Sequence, residues 1–118
     1  MTYIEGTVEN LHNGKKGLTV YRFLVDTGAS ISVLNSSFGF LFVNTPVIDT
    51  VSLRYEGSNA KALPVYSIRL KIKGISFELL AAFDENMKIT SILGHYAFLN
   101  NFEHLGISKL RKKLTLIK

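Results

Sequence analysis

No cysteine occurs anywhere in the 118 residues, which removes disulfide scaffolds, thiolate nucleophiles and Cys-ligated zinc together. Tryptophan is also missing, proline occurs twice, and nine glycines are too few for a low-complexity or collagen-like chain. The longest apolar run, allowing glycine, covers only residues 38–43, far short of the about 20 residues that span a bilayer as a helix. It is expected in the core or as a covered strand. The opening Met-Thr-Tyr-Ile-Glu-Gly carries neither the basic nor the apolar part of a secretory signal, so a cytoplasmic protein without membrane contact is expected. His12, His95 and His104 lie far apart without ligand spacing, so no metal site is expected.

What is present suits one globular domain over residues 1–118. Hydrophobic residues make up 47% and charged residues 19%, enough apolar surface to form a core and too little charge for disorder. The net charge is +5, and Lys109, Arg111, Lys112 and Lys113 crowd four of the fourteen basic residues together. A solvated basic strand end explains that cluster more simply than a nucleic-acid contact.

Short β-branched and apolar runs alternate with turn signals, so the chain reads as all-β with one short C-terminal helix. Residues 3–11 and 17–25 form a first expected hairpin around Asn13-Gly14-Lys15-Lys16-Gly17. Residues 47–55 and 63–73 form a second, with the polar segment 56–61 as its tip. A third is expected from residues 75–83 and 88–93 through Asp84-Glu85-Asn86, a polar turn. Tyr96, Ala97, Leu99 and Phe102 have helical spacing over residues 96–105, Gly106 is a C-cap, and residues 114–117 are a closing strand. Laying Gly28 on Gly94, an offset of 66 residues, aligns Val25-Asp26-Thr27-Gly28 with Ser91-Ile92-Leu93-Gly94. This is the pattern of a duplicated unit whose second copy lacks the Asp.

Chemistry concentrates in Leu24-Val25-Asp26-Thr27-Gly28-Ala29-Ser30. A carboxylate directly after an apolar strand sits at the lip of a core, where it needs hydrogen bonds or a partner. Gly28 allows backbone amides to approach it, Thr27 adds a hydroxyl, and Ala29 leaves space above it. Asp-Thr-Gly is also ordinary turn chemistry. Asp49 and Asp84 lack this context.

This segment resembles the signature of the retropepsin-like aspartic proteases, two apolar residues followed by Asp-Thr/Ser-Gly-Ala/Ser. Ile92-Leu93-Gly94 is similar to the apolar-apolar-Gly triplet that precedes a helix late in the same family. The resemblance covers about residue 19 to the C-terminus and is nearer to the single-lobe bacterial and cellular members. In viral members an Asp follows the Ala and an Arg follows the triplet, whereas here Ser30 and His95 stand there, so that supporting ion pair is absent.

The resemblance implies a closed barrel-like lobe that dimerises into a pepsin-like two-lobed architecture, and an aspartic endopeptidase that needs no cofactor. Asp26 would be catalytic, one from each subunit of a homodimer, because the chemistry uses two carboxylates that share a proton. Thr27 and Gly28 would support the site. Ala29, Ser30, Tyr55, Gly57, Ile92 and Leu93 would contact a polypeptide substrate beneath a flap formed by the 56–61 tip. Residues 114–117, and also 2–4, would build the intersubunit sheet. Two other readings compete with it: a catalytically idle homodimeric peptide-binding module of the same fold, and a basic β-barrel binding nucleic acid through residues 109–113. Against the second stands the absence of an aromatic-basic alternation on any strand.

Overall fold

The first strand, β1 (Thr2–Asn10), divides its hydrogen bonds between two neighbours. Its first half pairs antiparallel with β2 (Tyr21–Asp26), from Thr2 opposite Val25 to Gly6 opposite Tyr21. Its second half pairs with β5 (Lys61–Ile72), from Thr7 opposite Lys71 to Asn10 opposite Ile68. Gly6 stands at the change of partner, where a Cβ would lie 2.7 Å from the Lys71 carbonyl oxygen; such a barrel corner needs a residue without a side chain. The strand expected from residue 17 begins only at Tyr21. Residues 17–20 bulge outward and leave Leu18 and Val20 exposed. These observations come from a computed structural model that describes residues 2–26, 28–54, 57 and 59–94.

The remaining strands are β3 (Ser32–Leu34), β4 (Asp49–Leu53), β6 (Ile75–Phe83) and β7 (Ser91–Gly94). The sheet runs β1-β2-β7-β3-β6-β5 and closes through the β1–β5 pairing, so six strands form a barrel and β4 rides on the outer edge of β5. The lobe is therefore mainly β, as its patterning indicates. The first two hairpins form as expected. The third does not: β6 pairs with β5 through the Lys73-Gly74 turn and with β3, and β7 lies between β2 and β3. The expected C-terminal helix over 96–105 and closing strand over 114–117 lie outside the described residues.

Residues 38–43 are not a strand. Ser36–Phe42 is a 3-10 helix capped by Asn35, whose side chain accepts from the Ser37 amide, and it buries Phe38, Leu41 and Phe42. Phe38 packs on Tyr21 with ring centroids 4.3 Å apart, and Phe42 stacks on Tyr66 at 4.2 Å, so the helix plugs the main core of Ile4, Val8, Phe23, Ile68, Leu70 and Leu93. Burial raises the pKa of the Tyr66 phenol. No helix among the described residues is long and apolar enough to cross a membrane.

Two polar devices tie the barrel. On the outer face Glu9, Arg69 and Glu78 stand opposite one another on β1, β5 and β6, with Arg69 at 3.2 Å from Glu9 and 3.0 Å from Glu78. The hydrogen bond that Arg69 donates to Glu78, followed by the charge of Glu9, raises the Arg69 pKa. Inside, fully buried Asn10 donates from Nδ2 to the Leu41 carbonyl at 2.8 Å and to Thr45 Oγ1 at 2.9 Å, and its Oδ1 accepts from the His12 amide at 2.9 Å. Asn10→Leu would leave the Leu41 carbonyl and the His12 amide without this partner. We expect it to lower stability by about 2–4 kcal/mol, seen as a shift of the urea midpoint without a change of slope.

The internal duplication is real, but its register differs from the glycine-on-glycine alignment. β2 pairs in parallel with β7 as β6 pairs with β3: Phe23 opposite Ser91 corresponds to Ala81 opposite Ser32, and Val25 opposite Leu93 to Phe83 opposite Leu34. The offset is 58 residues from β2 to β6 and 59 from β3 to β7. The buried serines repeat too. Ser32 Oγ accepts from the Gly94 amide at 3.0 Å, and Ser91 Oγ accepts from the Asn35 amide at 2.8 Å. The second copy therefore does contain an aspartate: Asp84 stands where Asp26 stands in the first.

Candidate active site

Asp26 is the last residue of β2 and faces Gly94, the last residue of its parallel neighbour β7. Because β7 is inserted between β2 and β3, the turn that joins β2 to β3 must arch over the end of β7. Ile31 is the part of that arch that meets Gly94. A Cβ on Gly94 would overlap the Ile31 carbonyl oxygen, 2.5 Å from its carbonyl carbon and 2.8 Å from its amide nitrogen. The second copy relaxes this contact, since Asn35 replaces glycine and sends Nδ2 to the Ile89 carbonyl at 2.8 Å. Glycine on one side thus presses the Asp26 turn down onto the barrel.

The turn holds its own carboxylate. Asp26 Oδ1 accepts from the Gly28 amide at 3.0 Å, and the Asp26 carbonyl accepts from the Ala29 amide at 3.2 Å. Asp26 is half-buried, and among the described residues it forms no ion pair. A carboxylate so placed, oriented by backbone amides at the rim of an apolar core, can exchange a proton with a ligand or accept a hydrogen bond from it. No three His, Asp or Glu side chains among the described residues gather as metal ligands.

The other aspartates do not complete a carboxylate pair with Asp26 within the chain. β6 runs antiparallel to β2 across β7 and β3, so Asp84 lies at the opposite end of these strands, buried and 2.9 Å from Lys61 Nζ. Exposed Asp49 opens β4, which is separated from β2 by β1 and β5 around the closed barrel, and accepts from the Thr50 amide through its own Oδ1.

Around Asp26 the structure gathers Gly28 and Ser30, both exposed, and half-buried Ala29. Ile92 is half-buried, opposite Leu24 and Val33. Leu93 is only 1% exposed and belongs to the main core; strand alternation turns it inward, so it is a packing residue and not a wall of a substrate pocket. Gly57 is exposed at the end of the β4–β5 hairpin with φ 77, a left-handed conformation that favours glycine. Thr27 and Tyr55 lie outside the described residues, as do 95–118. Residues 2–4 are hydrogen-bonded to β2 within the lobe on one edge.

Sequence reasoning overlooked Ser32, Ser91, Ile31 and the Lys61–Asp84 pair. The serines carried a signal, each a lone hydroxyl beside apolar strand residues. Ile31 and Asp84 carried none, because only the crossing of the turn over β7 and the closure of β5 onto β6 give them their roles. Lys61 belongs to the hairpin stem and not to its tip, and the Asp84 turn hides its carboxylate.

No protein-family model matches the sequence, and no curated protein does. Solved structures do. The foamy viral protease-reverse transcriptase in complex with an RNA/DNA hybrid superposes with a TM-score of 0.57 at 16% identity, over 86% of this chain and 12% of that one. The chain thus spans about an eighth of that protein's length. The protease of simian foamy virus (mac), solved in solution, gives 0.55 at 17% identity over 87% of this chain and 93% of that one. The lobe has the retropepsin fold. Within that retropepsin lobe, Asp26 occupies the turn over β7 and the β4–β5 hairpin projects from the barrel edge.

Proposed function

We propose that the chain is an aspartic endopeptidase that works as a homodimer, with Asp26 of each copy forming the catalytic pair. The observation that carries this reading is the Asp26 turn itself: a half-buried carboxylate bound by its own Gly28 amide and seated over Gly94. One such carboxylate cannot act as base and acid at once, and no second one among the described residues is in reach. A two-fold axis beside the turn supplies it.

Two carboxylates about 3 Å apart share one proton. The ionised Asp26 takes a proton from water as the water oxygen attacks the peptide carbonyl, and the protonated Asp26 donates to the carbonyl oxygen. The tetrahedral intermediate collapses as the C–N bond breaks and the amine leaves with a proton from the dyad. Thr27 would bind the partner's turn, and Ser30 and His95 imply that the dimer lacks the Asp–Arg support of viral members. The β4–β5 hairpin would close over an extended polypeptide and exclude water, with Gly28, Ala29 and Gly57 offering backbone groups to its main chain. Ser30, Tyr55 and Ile92 would line its side-chain pockets.

The test is digestion of a mixed peptide library between about pH 4 and 7, with and without a transition-state analogue of aspartic proteases, which should bind 10²-fold or more above substrate, roughly. Cleavage that the analogue suppresses supports the reading. Binding of peptides without any cleavage would leave the idle peptide-binding module in its place.

A further inference from the structure

Asp84 repeats the geometry of Asp26 in detail. Its Oδ1 accepts from the amide two residues on, Asn86, at 3.0 Å, and its carbonyl accepts from the amide three residues on, Met87, at 3.1 Å. The two turns differ in what reaches the second oxygen. Asp84 is 1% exposed, and its Oδ2 lies 2.9 Å from Nζ of Lys61. Lys61 opens β5 opposite Leu53, at the last pair of the β4–β5 stem before the tip.

That stem overhangs the barrel. β5 pairs with β6 only from Val65 onward, so β4 is the strand partner of residues 61–64, while Leu63 packs down onto Val33, Ala82 and Met87 of the barrel. Between them and the end of β6 lies a cavity of about 280 Å³ lined by Lys61, Leu63, Pro64, Tyr66, Phe83 and Asp84. The ion pair crosses this gap between the overhang and the barrel. A buried carboxylate that loses its cation is strongly disfavoured, so swinging the stem outward is opposed at this point.

We propose that Asp84 is a positioning residue: the second copy of the Asp26 turn serves as a latch that, through Lys61, sets the angle at which the β4–β5 stem leaves the barrel. The proposal rests on the reading of that hairpin as the flap of the endopeptidase. One duplicated turn then presents its carboxylate for chemistry while the other buries its carboxylate to hold the cover.

Hydrogen exchange on the intact chain tests the latch without any need for activity. Asp84→Asn keeps the acceptor for the Asn86 amide and removes the charge that holds Lys61, so a purely local turn role would leave the stem unchanged. We expect amides of residues 49–53 and 61–63 to exchange roughly tenfold faster in D84N while β1 and β6 keep their protection. K61M and K61M/D84N should match D84N and not add to it, and K61R should retain wild-type exchange. Should K61M, which strands the buried Asp84 carboxylate, or D84N fail to fold, K61M/D84N, which leaves neither member of the pair charged, carries the comparison with wild type. In peptide cleavage KM should rise about three- to tenfold with kcat nearly unchanged. Wild-type stem exchange in D84N, or additive effects of the two single changes, overturns the latch. A wild-type chain that cleaves nothing overturns the endopeptidase reading instead, and the exchange result still decides the latch.

Discussion

Asn in place of Asp26 is expected to lower peptide cleavage by roughly 10³–10⁴-fold while leaving the lobe folded. The side chains are isosteric, and the Asn Oδ1 still accepts from the Gly28 amide that Asp26 Oδ1 binds at 3.0 Å. What is lost is the capacity to take a proton from water and return it. Initial rates on a peptide selected from the library measure the effect, and sedimentation should give D26N the same dimer fraction as the wild type.

Mixing the two chains asks a sharper question. If each active site takes one Asp26 from each copy, a dimer with a single Asn is as idle as one with two. A ninefold excess of D26N added to wild-type chain should then reduce activity per wild-type chain to about a tenth once subunits exchange. An enzyme with both catalytic groups in one chain would not respond. Asp84 could supply such a second group only from the far end of β6, where Lys61 already holds it, so the first outcome is the one expected under the proposed function.

The strands of this lobe were legible where local chemistry decides them. The Asn13-Gly14 turn and the alternation on both sides of it predict the β1–β2 hairpin, and the polar 56–61 tip predicts β4–β5. Sequence failed where two signals conflicted or where contact was remote. Phe38, Phe40 and Phe42 alternate as on a strand, yet Asn35 caps a helix and Phe38, Leu41 and Phe42 share its buried side. Phe40 is left partly exposed beneath Lys15, whose Nζ lies 5.8 Å from the ring centroid. Residues 75–83 and 88–93 look like a hairpin because a polar turn joins them; β3 and β2 instead claim them through parallel pairs that no local pattern encodes. Likewise the duplication was visible as a rhythm of elements, but glycine identity drew Gly28 onto Gly94. Strand register instead places Asp26 on Asp84, so the second aspartate was hidden by the residue type that seemed to mark the repeat.

Gly94→Ala should be the most disruptive single change for the lobe itself. The added Cβ would lie 2.5 Å from the Ile31 carbonyl carbon and overlap the attached oxygen, and these are backbone atoms that no rotamer change removes. Overpacking in a filled core costs about 1–3 kcal/mol; a clash with backbone at a strand crossing belongs at or above the top of that range. The same shift would disturb the Gly94 amide, whose acceptor Ser32 is fully buried, and would lift the turn that carries Asp26. Activity should therefore fall further than the folded fraction does, since a displacement of about 1 Å at reacting groups can cost on the order of 10²-fold. Gly74→Ala is the control: with φ 80 and nothing within 4 Å of a new Cβ, it carries only conformational strain of about 1 kcal/mol and sits far from the turn. Urea unfolding and cleavage rates on both variants separate the two costs. If G94A unfolds at the wild-type midpoint and cleaves at the wild-type rate, the Ile31 arch is not what seats Asp26.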